Sequence, residues 1–219
     1  MGFAMQITNT IDMLLKYDYK QDTILFKSFT PQTTNINLPI NGIYEITCVG
    51  AGGGADGGCR KKNKWHSNVS MTGVGGGSGA AIQCVIYLKR GVYSVTVGVG
   101  GSGNSKNSGA ARSGTNSELM FNNIPIIRCG GGEGSGVRGT AGCSRHHRHH
   151  ATPGNGGIAY VWQDAIVKHM FLFSNGLPGN KYAGGNSVFS GTEYGKGGNP
   201  NGHHTGSPGN NGFFEIRLL

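Results

Sequence analysis

The sequence predicts an all-β fold: a sandwich or jelly-roll-like domain whose glycine-rich loops pack as short polyproline II helices. Three observations carry that prediction. Short apolar runs alternate with the period of two that a half-buried strand requires. Forty-two of the 219 residues are glycine, and they gather in blocks between those runs. Several blocks place glycine at every third residue, as in Gly139-Thr-Ala-Gly142, Gly176-Leu-Pro-Gly179 and Gly206-Ser-Pro-Gly209-Asn-Asn-Gly212. Three residues per turn is the polyproline II period, and a missing Cβ on one side lets such helices pack backbone to backbone. Only 13% of the residues are charged, less than a solvated disordered chain normally carries. The blocks are too short and interrupted for collagen, and flexible glycine loops are the plainer alternative.

In chain order, residues 1–40 are poor in glycine and read as a separate N-terminal docking or oligomerisation segment, ahead of a glycine-rich β-domain over 41–219. Ile11, Leu14 and Leu15 have helical spacing, whereas Thr23 to Phe29 alternates like a strand, and Pro31 and Pro39 punctuate the passage. Tyr44, Ile46 and Cys48 then share one side of a pleat, as do Ile82, Cys84, Ile86 and Leu88, and next Tyr93, Val95 and Val97. Lys89-Arg-Gly-Val92 is expected to join the last two as a tight hairpin. Asn122-Asn123 signals another, between 118–121 and 124–129. The runs 158–162 and 167–173 are expected to pair, and Phe214, Ile216 and Leu218 share one face of the closing strand. The glycine blocks lie at 50–80, 98–115, 130–157 and 175–212. Roughly nine short strands result, as a sandwich of this size requires.

The formal charge of +9 predicts attraction to anionic surfaces, whether nucleic acid, lipopolysaccharide phosphates, teichoic acid or acidic glycans. No apolar stretch reaches the roughly 18 residues of a membrane span, so no membrane insertion is expected. The first residues show neither a signal-peptide pattern nor a myristoylation site, so the protein is expected either to be made and used in the cytosol or to leave by lysis or in a particle such as a virion, outside the cell without a signal peptide. Five cysteines, an odd number without close pairing, argue for reduced thiols. Cys48, Cys84 and Cys129 lie in strand-like runs as small buried hydrophobes. Cys59 and Cys143 lie in glycine blocks, and a bridge between them stays open.

Gly98-Val-Gly100-Gly-Ser-Gly103 follows a strand and matches the dinucleotide fingerprint, and Val49-Gly-Ala-Gly52-Gly-Gly-Ala55 approaches it. Neither is followed by residues that could open a helix to hold a pyrophosphate, and both are rejected. Gly195-Lys196 lacks the Ser or Thr of a phosphate loop. His146, His147, His149 and His150 could bind zinc, nickel or iron, and would converge on an axis if the chain forms a homotrimer. Arg145, the intervening Arg148 and the lack of nearby acidic ligands favour a protonatable basic loop instead, with no cofactor. His203-His204 is a weaker pair. Lys61, Lys62 and Lys64 beside Trp65 and His66 combine cations with an aromatic that could stack on a sugar or a base; a solvated basic turn is the alternative. Tyr182 and Tyr194 are lesser candidates of that kind. No catalytic order of Ser, His and Asp, no metal-protease motif and no paired-carboxylate context is present, so an enzyme is not expected.

From about residue 35 to its end the chain resembles the glycine-rich domains of bacteriophage tail-fibre and tip-adhesin proteins. The resemblance is carried by Ile43-Tyr-Glu-Ile-Thr-Cys-Val-Gly-Ala-Gly-Gly-Gly54, Val92-Tyr-Ser-Val-Thr-Val-Gly-Val-Gly-Gly-Ser-Gly103, Cys129-Gly-Gly-Gly132 and Gly206-Ser-Pro-Gly-Asn-Asn-Gly212-Phe-Phe-Glu-Ile216. It implies polyproline II helices packed with β-structure, and variable loops that contact outer-membrane proteins or glycans. Similar modules occur in bacterial surface proteins, in some receptor kinases and in some antifreeze proteins. No fibre-docking segment is recognised in the first 40 residues, which leaves the mode of attachment open. The resemblance implies a distal tail-fibre or spike adhesin that binds a bacterial surface receptor or anionic glycan and assembles with other virion or fibre proteins. Its loops 58–68, 143–152 and 180–204 would make the contacts. A structural assembly subunit without a receptor is the alternative. Nucleic acid is the weakest partner, since no RNP, KH or RGG pattern is present.

Overall fold

The computed structural model describes residues 22–57, 59–62, 68–71, 73–104, 111–137, 151–201 and 205–219. The helical spacing at Ile11 to Leu15 lies outside them. Among the described residues there is no helix, and ten strands form two antiparallel sheets. The first sheet runs, edge to edge, β1 (Thr23–Ser28), β14 (Phe213–Leu218), β3 (Gly42–Val49), β6 (Ala81–Leu88) and β13 (Ile166–Ser174). The second runs β12 (Ala159–Val161), β9 (Ile124–Cys129), β8 (Ser117–Phe121), β7 (Gly91–Val97) and β2 (Gln32–Leu38). Two short ladders lie within the glycine blocks: β4 (Cys59–Lys62) with β5 (Asn68–Met71), and β10 (Gly136–Val137) with β11 (Ala151–Thr152).

The sheets close as a sandwich because each strand buries alternate residues. Tyr44, Ile46 and Cys48 of β3, Ile82, Cys84 and Ile86 of β6, and Phe214 and Ile216 of β14 form one core with Tyr93, Val95, Val97, Leu119, Ile127 and Cys129 of the facing sheet. Burying each of the larger side chains contributes about 1.5–3 kcal/mol. The two buried phenols also have partners: Tyr44 Oη donates to Ile40 O at 2.8 Å, and Tyr93 Oη to Lys89 O at 3.0 Å. Asn122 and Asn123 both adopt left-handed φ, 50° and 63°, the requirement of the type I′ turn that joins β8 to β9.

Two expected pairings are corrected. β6 and β7 do not form a hairpin: β6 pairs with β3 and β13, β7 with β2 and β8. β12 and β13 likewise belong to opposite sheets. For β6 and β7 the apolar faces meet across the sandwich and are buried in its core, which they would not be side by side in one sheet. Residues 23–38, read from sequence as part of a separate segment, pair within the two sheets, and Leu38 is in the core.

Four connections, 50–80, 98–116, 130–158 and 175–212, leave the same end of the sandwich and return to it, and most of their described residues run as extended segments. Two of these segments, 50–57 and 73–80, are enclosed by the others. The amides of Gly50, Gly53 and Asp56 donate to Ala80, Gly77 and Val74; those of Ala51 and Gly54 to Thr115 and Arg112; those of Gly52 and Ala55 to Asn210 and Ser207. The carbonyls of Ala51 and Gly54 accept from Gly132 and Ser135, those of Gly52 and Ala55 from Gly101 and Asn104, and that of Gly53 from Gly198. Segment 50–57 is thus bonded to six neighbours, with a repeat of three residues. Segment 73–80 follows the same rule, its amides turning in order to 177–180, 195–198 and 130–133. Such contact leaves no room for a Cβ: one at Gly53 would run into the carbonyl of Glu133, and one at Gly77 into that of Asn155. Among the described glycines only Gly91, Gly191 and Gly195 have positive φ, so the bundle uses glycine for close approach rather than for left-handed backbone.

Candidate functional site at the end of the glycine bundle

The far end of the bundle gathers five chain reversals. The described chain reaches it at Gly57 and returns by Gly73, and does so again at Asn104 and Ala111, at β10 and β11, at Asn180 and Ala183, and at Asn201 and Thr205. Backbone bonds tie these ends together. Gly57 and Gly206 N–H both donate to Asn104 O, at 3.2 and 3.0 Å, Gly75 N–H to Asn180 O at 2.8 Å, and Ser207 N–H to Asn199 O at 3.0 Å. The β4–β5 hairpin continues the two enclosed segments, pairing Lys61 with Val69 and Lys62 with Asn68.

Lys61 and Lys62 therefore fall on a strand at this end, although the sequence suggested a loop. Lys64, Trp65 and His66 lie outside the described residues, as do Arg145, His146, His147, Arg148, His149, His150 and the pair His203-His204. Tyr182 stands at a described reversal with 80% of its surface exposed. Asn180 Oδ1 holds that turn by accepting from Tyr182 and Ala183 N–H at 2.7 and 2.8 Å, and Lys181 Nζ lies 5.6 Å from the Tyr182 ring centre. Tyr194 sits elsewhere. Its ring stacks on Phe213 at 4.6 Å and lies 6.4 Å from that of Phe29. With Val188, Phe189 and Leu172 it covers Val49 and Ala81 where the bundle meets the sheet.

Sequence reasoning missed Asp56, which is buried at the foot of the β4–β5 hairpin. Desolvation pushes its carboxyl up to about 6, against the lowering effect of the Gly57 N–H and the Asn104 amide. Asn104 Nδ2 donates to Asp56 Oδ1 at 3.4 Å, and the two residues form a parallel bridge. An Asp within a glycine run carries no sign of burial, because its surroundings come from segments far along the chain.

The fingerprint at 98–103 is closely packed: a Cβ on Gly100, Gly101 or Gly103 would meet the backbone of Gly209, Arg112 or Gly206, which leaves no space for a pyrophosphate. Cys48, Cys84 and Cys129 are buried and free. Burial pushes the Cys48 thiol well above its usual value and that of Cys84 up to about 12, which makes thiolate chemistry negligible there. The side chains of Cys59 and Cys143 lie outside those described. Among the described residues no group of three or more His, Cys, Asp or Glu is placed to hold a metal ion, and no helix is long and apolar enough to cross a membrane.

A sandwich extended by a hydrogen-bonded glycine bundle is a glycine-rich β-domain. Residues 29–215 match the profile of the glycine-rich domain family, and the chain belongs to that family. No curated protein matches the sequence.

Proposed function

We propose that the protein is a non-catalytic recognition component of a phage virion, placed at the distal end of a tail fibre or spike. It would bind a host surface receptor or glycan through the five reversals at the end of its bundle. The observation that carries this reading is their convergence on one end of a scaffold whose interior is backbone. Residues in the reversals can change without disturbing a side-chain core, which suits a surface that must follow a varying receptor. In this reading the bundled segments are polyproline II helices, supported by their three-residue repeat. Lys61, Lys62, Lys64, Trp65, His66, Arg145, Arg148 and Tyr182 supply the contacts, and the histidines at 146–150 add protonatable charge. Tyr194 drops to a packing role.

The test is binding of labelled protein to a panel of bacterial envelopes at about 0.15 M salt and above. Saturable, strain-restricted binding that survives salt supports an adhesin, and indiscriminate binding that salt erases removes it. Trp65→Ala should abolish binding while the fold persists; undiminished binding would retire Trp65.

A second reading, an assembly subunit joined to further copies of itself, is favoured by the free edge of the first sheet. There, among the described residues, β13 exposes Ile166, Phe171 and Phe173. A long apolar edge is a template for pairing. Phe171→Lys should dissociate an oligomer seen by sedimentation; a monomer at all concentrations would remove this reading.

A further inference from the structure

Three thiols lie in the core: Cys48 on β3, Cys84 on β6 and Cys129 on β9. Two of them stand on opposite sheets where the strands run into the glycine bundle. Cys129 is the last residue of β9, and Cys48 the last but one of β3. Facing sheets ordinarily stand about 10 Å apart, but just beyond these residues the backbones meet. Ala80 N–H donates to Gly130 O at 3.0 Å, and a Cβ on Gly50 would enter the carbonyls of Gly130 and Cys129. The two thiols cross in this narrowing. Cys129 Sγ donates to Cys48 O at 3.1 Å, and Cys48 Sγ to Ser117 O at 3.4 Å. Ser117 is the residue paired with Cys129 on the neighbouring strand. Each sulfur therefore rests against the ladder that carries the other, and the two thiols are hydrogen-bonding neighbours. Cys84 is placed differently. It pairs with Ile46, which leaves it diagonal to Cys48 within one sheet, a spacing of about 7–8 Å.

A disulfide requires side chains aimed at each other and Cα atoms no more than about 7 Å apart. The crossed thiols supply the first condition, and the backbone contact just beyond them holds their strands together; the diagonal position of Cys84 lies at or past the limit. We propose that Cys48 and Cys129 are a disulfide pair that joins the two sheets, closed when the chain folds in an oxidising medium and open in a reducing one. In the closed protein both side chains are fully buried, and burial raises the Cys48 thiol well above its usual value. Exchange therefore belongs to the chain before it closes. Oxidised glutathione serves as the oxidant. One cysteine thiolate attacks it and releases a glutathione thiolate; the other then displaces the second glutathione and completes the Sγ–Sγ bond. The cysteines give up two protons and two electrons, and the two glutathione thiols formed take up both. The bridge ties β3 to β9 at the root of the bundle, and burial shields it from reductants while the fold lasts. It closes whatever the far end of the bundle binds.

The test is refolding of the full chain in oxidised and in reduced glutathione, followed by alkylation in denaturant and peptide mapping by mass spectrometry. After oxidising refolding, the peptides that carry Cys48 and Cys129 should appear joined, two hydrogens lighter than their sum, while Cys84 should be alkylated. The oxidised protein should melt at least about 5 °C above the reduced one, because the bridge restricts the unfolded chain between the two cysteines. Cys48→Ala and Cys129→Ala should each abolish both the joined peptide and the gain, and Cys84→Ala should keep them. The map of the unaltered chain decides even where a variant fails to fold. Three results would overturn the pairing: Cys48 and Cys129 both alkylated after oxidising refolding, either of them joined to another cysteine, or a bridged product that melts no higher than the reduced protein.

Discussion

Gly53 and Gly42 make opposite demands. A Cβ at Gly53 would enter the backbone of Glu133, whereas one at Gly42 meets only the side chains of Leu218 and Ile40, at 3.5 and 3.6 Å. Gly53→Ala should therefore cost on the order of 3 kcal/mol in denaturant unfolding, and Gly42→Ala less than about 1. Equal costs would mean that the bundle can swell. Asp56 makes a pH-dependent demand. Its folded value of about 6 lies above the ordinary aspartate value of about 3.9. Its contribution is therefore fully present below the ordinary value and is lost as pH rises through 6. Asp56→Asn should raise stability at pH 7.5, by on the order of 2 kcal/mol, and change it little at pH 4; an unchanged pH profile would remove that role. Glu215 runs the other way. Desolvation raises its carboxyl, but the hydrogen bonds from Lys27 and Arg217 outweigh that and hold it below its ordinary value, so its contribution is lost in acid. The glycine triplets announced close backbone packing in the sequence, while the burial of Asp56 and the stacking of Tyr194 on Phe213 did not show. Both depend on segments distant along the chain.

Turns and rims carry the information at the scale of elements. Asn123 occupies a left-handed position at φ 63°, so Asn123→Val should cost about 1–2 kcal/mol and Asn123→Gly should be neutral or slightly stabilising. Thermal melts decide, and a neutral valine would contradict the turn type. The Asn and Ser residues scattered among the glycines have a shared task. Outer segments lack neighbours on one side, and side chains there accept the amides that would otherwise be unpaired. Asn211 Oδ1 accepts from Gly100 N–H at 3.0 Å, Asn199 Oδ1 from Gly184 at 2.9 Å and Ser113 Oγ from Gly134 at 3.1 Å. Nine of the ten strands of the two sheets were legible because their alternation is local, whereas β2, whose Gln32-Thr-Thr-Asn35 carries no apolar alternation, was not. The crossing at Lys89-Arg90 was not, since a two-residue link looks alike whether it closes a hairpin or changes sheets. Nor was β4, where Arg60-Lys61-Lys62 lacks apolar alternation. At the candidate site, Tyr182 was legible as a loop aromatic, and the meeting there of described ends from distant segments was not.

For the whole molecule, the enclosed segments should be the most protected part of the bundle. Amides of Gly52 to Ala55 and Gly76 to Gly79 should exchange with solvent as slowly as those of β3 and β6, and far more slowly than those of β4. Fast exchange there would mean that the bundle opens independently of the sandwich. Replacing 59–71 by a short glycine turn should leave the melting temperature unchanged.

The last neighbours of the enclosed segments have a bearing on how the chain is made. Gly52 and Ala55 donate to Asn210 and Ser207, and Gly76 and Gly79 to Gly198 and Gly195. A nascent chain thus holds its first two glycine segments without the acceptors that complete them until residues 195–210 have left the ribosome. The bundle can close only then, and a premature stop codon before residue 195 yields a product with four central amides unmet rather than a shortened but usable domain.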